Sequence, residues 1–209
     1  MAQFRYGLVV AAMCGALCTA QAQASSISYT SYTVTNDQDV TLVDAKLGVD
    51  VHGGSGQVNL NGTNTPGGSL ATWCIDILHE LQDSGTFGMA GPLTGSFALT
   101  ANALLSHAAS VIGGDYNASS ALQVALWEAE YGSDLTVTAP QAVLNLAQTY
   151  LTDVANGTWR ADPNAQILVA AGNGQNQSQA YLSRVPEPAS VLALASGLLS
   201  LIGLRPRRT

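Results

Sequence analysis

The chain has 209 residues, 47% of them hydrophobic and only 10% charged, enough for one sizeable core and too few for two ordinary domains once targeting segments are set aside. Its formal net charge is −7. Between residues 25 and 185 thirteen acidic side chains face only Lys46, Arg160 and Arg184, a net charge of −10, and a surface of that sign repels phosphate backbones and argues against nucleic acid as a partner.

The first 24 residues place Arg5 ahead of an apolar run from Leu8 to Leu17 and end in the small-x-small triplet Ala22-Gln23-Ala24. They read as a cleavable secretory signal. Cys14 and Cys18 leave with it, so Cys74 is the one cysteine of the mature chain.

Residues 26 to 62 are rich in Thr, Val, Ser, Tyr and Gly with partial alternation, as in SISYTSYTVT and QVNLNG, and predict short strands. HGGSG, which holds His52, and NGTNTPGG are the turn signals between them. The acidic stretch NDQDVTLVD resembles a calcium loop in composition but lacks the glycine that an EF-hand needs at its sixth position, so no metal site is expected. Three helices follow. SFALTANALLSHAASVIGG carries apolar residues at helical spacing and stops at Gly113-Gly114, and NASSALQVALWEAEYG offers Ser119 or Ser120 as N-cap and Gly132 as terminator. In TAPQAVLNLAQTYLTDVANG, Thr138 is the expected cap, Pro140 suits the first turn, and Val143, Leu146, Tyr150 and Val154 form a stripe. AQILVAA and SQAYLSR predict closing strands. The expectation is a single α+β domain over residues 25–184: N-terminal strands, central helices, C-terminal strands.

Residues 185–209 carry Pro186-Glu187-Pro188, an uncharged apolar stretch over 189–204, and then Arg205, Arg207 and Arg208. The stretch predicts a helix somewhat short of a full bilayer span, and the arginines place its far end in the cytoplasm. This order resembles the PEP-CTERM sorting signal of Gram-negative bacteria. The resemblance implies that the chain is exported, held for a time in the inner membrane, cut by an exosortase, and delivered to the cell surface or the extracellular matrix. A plain C-terminal membrane anchor is the alternative.

Two residues of the body are out of place. The second helix is apolar nearly all round except for Gln123, and a carboxamide buried without partners costs about 1 to 3 kcal/mol. Cys74, in ATWCIDILHELQD, has no second cysteine to oxidise against. On a strand reading, Trp73, Ile75, Ile77 and Leu81 face one way, and Cys74 and Asp76 the other. WCID, followed 49 positions after its cysteine by the glutamine of LQVALWEAEYG, resembles bacterial thioester domains, in which an aromatic-Cys-aliphatic segment pairs with a Gln-x-x-aliphatic-Trp segment on a helix. Leu122 stands where many members of that family have threonine. The resemblance implies an internal thioester between Cys74 and Gln123, used by an adhesin to attach itself to a target that bears an amine or a hydroxyl. Trp73, Trp127 and Tyr131 would shield the bond from water, and His79 or His107 would assist the incoming nucleophile. No cofactor and no turnover catalysis are implied.

Two other classes remain open from the residues alone. One is a non-covalent structural protein of an exopolysaccharide biofilm matrix, with Cys74 as a free buried thiol and Gln123 bonded to backbone. The other is a cysteine hydrolase, disfavoured because neither a helix N-terminus nor a glycine-rich turn precedes Cys74 to lower its pKa.

Overall fold

The computed structural model describes residues 26–184 apart from 66, 90 and 114. The expected secretory signal over 1–24 and the sorting segment 185–209, with its apolar helix 189–204, lie outside the described residues. Among the described residues no helix is long and apolar enough to cross a membrane.

The body is α+β, rich in sheet, with three helices. Its order is β1 (Ser26–Tyr29), β2 (Ser31–Asp44), β3 (Val49–Asn61), β4 (Ser69–Cys74), β5 (Gly85–Met89), β6 (Gly91–Pro92), α1 (Ser96–Val111), α2 (Ala118–Tyr131), β7 (Leu135–Thr138), α3 (Gln141–Ala155), β8 (Ala165–Ala170) and β9 (Gln179–Arg184). β1 and β5 form a two-stranded sheet, and the remaining strands form an antiparallel sheet in the order β6-β8-β9-β4-β3-β2-β7. β9, the last strand among the described residues, thus lies next to β4, and β4 is central.

The expected elements appear, with four corrections. The front of the chain makes two long strands where short ones were expected, and HGGSG with His52 lies inside β3 instead of in a turn. Close packing accounts for Gly54, which lies against Asp37, and for Gly56, but not for Gly53, whose Cβ would meet open space. A Cβ on Gly56 would stand 2.8 Å from Thr35 O and 3.2 Å from Ser119 Oγ, tighter than side chains tolerate. Next to it Asn36 and Asp37 of β2 face the single residue Gly56 of β3, a bulge in which Asn36 takes φ 48°. Ser119 and Ser120 do not cap α2; the N-cap position falls to Asn117 without a side-chain bond, because both hydroxyls are spent on the bulge. Thr138 does not cap α3 either. It closes β7, a strand the periodicity did not reveal, and the helix begins after Pro140.

The main core joins the three helices to the centre of the sheet through Leu104, Leu122, Leu126, Trp73, Val143 and Ile167, among others. A smaller cluster of Ile27, Tyr29, Val58, Leu60 and Phe87 seals the two-stranded sheet. Gly132, at φ 63°, ends α2 where a residue with a Cβ would be strained.

Candidate functional site

The site forms where a strand loses its neighbour. β3 pairs with β4 as far as Val58 opposite Thr72, then turns toward the bulge. On the other side of β4, Cys74 stays in register with Gln179 of β9, and Ile75 N–H donates to Ser178 O at 3.2 Å. Because backbone groups alternate in direction along a strand, the N–H and C=O of Cys74 point to the side that β3 has left. Left open there they would be buried and unpaired.

α2 fills that gap. Its first turn is tied to the departing strand: Gln57 N–H donates to Ser119 Oγ at 2.7 Å, and Ser120 Oγ donates to Ser55 O at 2.6 Å and to Asn36 O at 3.2 Å. One turn on from Ser119, on the same face, Gln123 reaches β4. Cys74 N–H donates to Gln123 Oε1 at 3.0 Å, and Gln123 Nε2 donates to Cys74 O at 2.8 Å. The carboxamide stands in for a missing strand, and it is 1% exposed. The structure therefore brings Cys74 and Gln123 together across 49 residues, through the backbone of the cysteine itself.

The thiol is shut away. Cys74 is 4% exposed, and its Sγ sits in a tight turn, donating to Asp76 O at 3.2 Å and accepting from Asp76 N–H at 3.4 Å. Burial pushes its pKa up to about 12, with the N–H of Asp76 and the nearby indole N–H of Trp127 pulling the other way, so the sulfur carries its proton at neutral pH. A nucleophile for turnover catalysis needs the opposite shift. The strand reading that set Trp73 and Ile75 against Cys74 did not separate inside from outside, because β4 is covered on both faces and all three are buried.

Around this pair stand groups that the sequence reading named and one that it missed. Trp127, one turn beyond Gln123 and 4% exposed, stands near the thiol and also lines a cavity of about 390 Å³ together with Asp37, His52, Ile77, His79 and Glu80. Tyr131 Oη donates to Ile75 O at 3.0 Å and accepts from Ile77 N–H at 3.4 Å, which fixes the segment after β4. His79 Nδ1 pairs with Asp76 Oδ2 at 2.8 Å, so His79 is within two residue contacts of the sulfur. His107 belongs elsewhere: it stacks on Trp159 at 4.9 Å, and Trp159 stacks in turn on Tyr150. His52 bonds Thr41 Oγ1 across the hairpin at 3.1 Å. Trp73 is core.

The group missed is Glu130. It lies seven residues after Gln123, hence on the same helical face as Gln123 and Trp127, and that spacing was the signal in the sequence. Burial, and to a lesser degree the charge of Asp76, push its carboxyl up to about 8. Among the described residues, the buried side-chain polar atoms without a hydrogen-bond partner are Glu130 Oε2 and Trp127 Nε1.

The NDQDVTLVD stretch forms part of β2, and Asp44 Oδ1 caps the hairpin by accepting from Lys46 and Leu47 N–H, each at 2.9 Å. Among the described residues no three His, Cys, Asp or Glu side chains gather as they would around a metal ion. Comparison with known proteins finds no matching family model, no similar curated protein and no similar solved structure.

Proposed function

We propose that this chain is an exported surface or matrix protein that attaches itself covalently to a nucleophile-bearing target through a thioester between Cys74 Sγ and Gln123 Cδ. The observation that carries the reading is the two-point pairing of the Gln123 carboxamide with the backbone of Cys74. It holds an acyl carbon against the backbone of the residue that carries the thiol, in a site with almost no access to water.

Closure then follows from proximity. The sulfur adds to the carboxamide carbon, and the oxygen that gains charge is the one already facing Cys74 N–H, a donor placed as in an oxyanion hole. The C–N bond breaks, the nitrogen leaves as ammonia with the thiol's proton, and a thioester remains. In the second step an amine or hydroxyl adds to the same carbon, the C–S bond breaks, and Cys74 recovers a proton. Gln123 is left acylated onto the target, so each molecule reacts once. The cavity beside Trp127 is the route for the nucleophile, and the indole ring is the barrier that keeps water from it. Sorting rests on the order Pro186-Glu187-Pro188, apolar run and Arg205, Arg207, Arg208: transient anchoring in the inner membrane, cleavage by an exosortase, then residence at the surface.

A second reading is favoured by the same bonds. A carboxamide that satisfies both backbone groups of Cys74 is a sufficient structural clamp, and the protein would then serve a biofilm matrix non-covalently with a free buried thiol. Methylamine separates the two. On the thioester reading, incubation adds one methylamine to the peptide containing Gln123 and exposes Cys74 to thiol reagents in the same step. A native protein that gains no mass, while its thiol is unchanged in reactivity, supports the clamp instead.

A further inference from the structure

Along the side of β2 away from β3 the sheet is incomplete. β7 covers β2 only over residues 41–44, and β5 pairs with the chain ahead of β2 only as far as Tyr29, so among the described residues no strand lies beside residues 31–35 on that side. The register tells which groups are left open. Cys74 turns its N–H and C=O to the side that β3 has left, so Thr72, two residues before it, turns its own to β3 and is answered by Val58. Asn59 then faces β2 and its partner Thr33, and the N–H and C=O of Tyr32 and Val34 point outward. The open stretch Ser-Tyr-Thr-Val-Thr carries neither the lysine nor the proline with which edges are ordinarily blunted. A groove of about 500 Å³ lies against it, lined by Thr30, Tyr32, Val34 and Asp37 and by Asp83 from the segment ahead of β5. Tyr32, Val34 and Asp37 also line the cavity that Trp127 lines, so groove and cavity adjoin.

We propose that residues 31–35 of β2 take one extended basic segment of a partner protein as an added strand. Main-chain bonds to Tyr32 and Val34 hold such a segment, and its alternate side chains set the choice of partner. A partner residue opposite Tyr32 or Val34 lies on the same face of the sheet as they do, so its side chain enters the cavity, where Val40, Val58 and Ile77 are buried and Asp37 and Glu80 exposed. A lysine or an arginine fits both parts. Its methylenes cover the apolar surface while its charge stays with the carboxylates. Asp37, Glu80 and Asp83 enter no ion pair among the described residues, and no lysine or arginine among them lines the groove or the cavity. A second copy of this chain is the wrong partner, because it would set a body of net charge −10 against its like. The inference holds whether or not Cys74 and Gln123 react. If they do, the added strand decides which side chain shares the cavity with Trp127.

The test uses the mature protein and a short capped peptide of alternating arginine and valine, which has no primary amine, so that docking is read apart from any covalent capture. Calorimetry gives the affinity, and hydrogen exchange gives the place. The expected result is that bound peptide slows exchange of the Tyr32 and Val34 amides by at least about tenfold and leaves that of Thr33, already turned to β3, unchanged. The same peptide with glutamate for arginine, and the same peptide N-methylated throughout, should each bind at least about tenfold more weakly, the first for want of charge and the second for want of main-chain donors. Asp37→Asn, a change at an exposed side chain, should weaken binding with an unchanged melting temperature. An N-methylated peptide that binds as well as its parent, or protection at amides other than those of Tyr32 and Val34, would overturn the inference by showing attraction of charge without an added strand. Absence of binding at millimolar peptide overturns it equally. So does a dimer whose Tyr32 and Val34 amides are protected before any peptide is added, which gives the edge to a second copy. None of these results touches the thioester reading, which the ammonia deficit tests by itself.

Discussion

Two buried carboxamides tie helices to backbone in this fold, and their surroundings differ. Asn102 of α1 donates from Nδ2 to Ala165 O at 2.9 Å and to Asp162 O at 3.3 Å, while its Oδ1 accepts from Asp162 N–H at 3.0 Å and from Ser106 Oγ at 2.9 Å. Every lone pair and proton is used, no thiol adjoins it, and the one hydroxyl beside it, Ser106 Oγ, spends its proton on the amide oxygen. Gln123 of α2 makes one bond in each direction, both to the residue that carries the thiol, and two unpartnered polar atoms stand on its face of the helix. The first arrangement holds α1 to the start of β8 and is complete. The second holds α2 to β4 equally well but also juxtaposes the parts of an acyl transfer. Burial and bonding of an amide therefore do not distinguish clamp from reagent; the chemistry of its partner residue does.

The sharpest way to break the comparison is to exchange the roles. Gln123→Glu should abolish methylamine capture, because a carboxyl has no ammonia to lose, and its acid must stay protonated to go on donating to Cys74 O. Asn102→Ala should capture at the wild-type rate while losing about 2 to 3 kcal/mol of stability, since it strands backbone groups of Asp162 and Ala165. Denaturant titration and mass spectrometry on the same samples read both. If Asn102→Ala loses capture as well, while still folded at the assay temperature, the two amides are not separable in the way described.

A smaller contrast than the loss of capture concerns the loop between the paired residues. A covalent link closing 49 residues should stabilise by about 4 kcal/mol on the chain-entropy account, so protein opened by methylamine should unfold at lower denaturant than closed protein. Equal midpoints would mean that there was no link to open.

Titration of Glu130 gives a smaller effect still. The folded state keeps a proton that the unfolded chain releases, so this stabilising contribution is whole below the ordinary glutamate range and is lost as pH rises to about 8. After allowance for the partial exposure of the side chain, the loss is roughly 2 kcal/mol. Glu130→Gln should flatten the dependence, and melting curves between pH 4 and 9 check it. The smallest change is expected from Trp127→Phe. It deletes an unpartnered N–H and keeps a ring, so stability should move by less than about 1 kcal/mol, whereas Trp127→Ala should shorten the half-life of the bond in water.

Much of this was legible in the chain. The apolar surroundings of Gln123 and the isolation of Cys74 point to each other in the sequence itself, and the three helices follow from spacing and from Gly132. What stayed hidden depends on partners distant in sequence. Ser119 and Ser120 read as caps because capping is a local property, yet their hydroxyls serve a bulge more than sixty residues away. HGGSG read as a turn because glycine usually marks one, while here it lets a strand lie against α2 and Asp37. β7 is four residues long and owes its existence to the edge of β2. Glu130 could have been found from its spacing to Gln123, but a charged residue near a helix end is ordinarily solvated, and only burial gives it meaning.

The central claim is a covalent bond between Cys74 and Gln123, and the intact mass of the native mature protein tests it most directly. The account predicts a mass one ammonia below that of the sequence, restored to the full value in Cys74→Ala. A wild-type mass with no deficit, measured on protein that has met no amine, would contradict it.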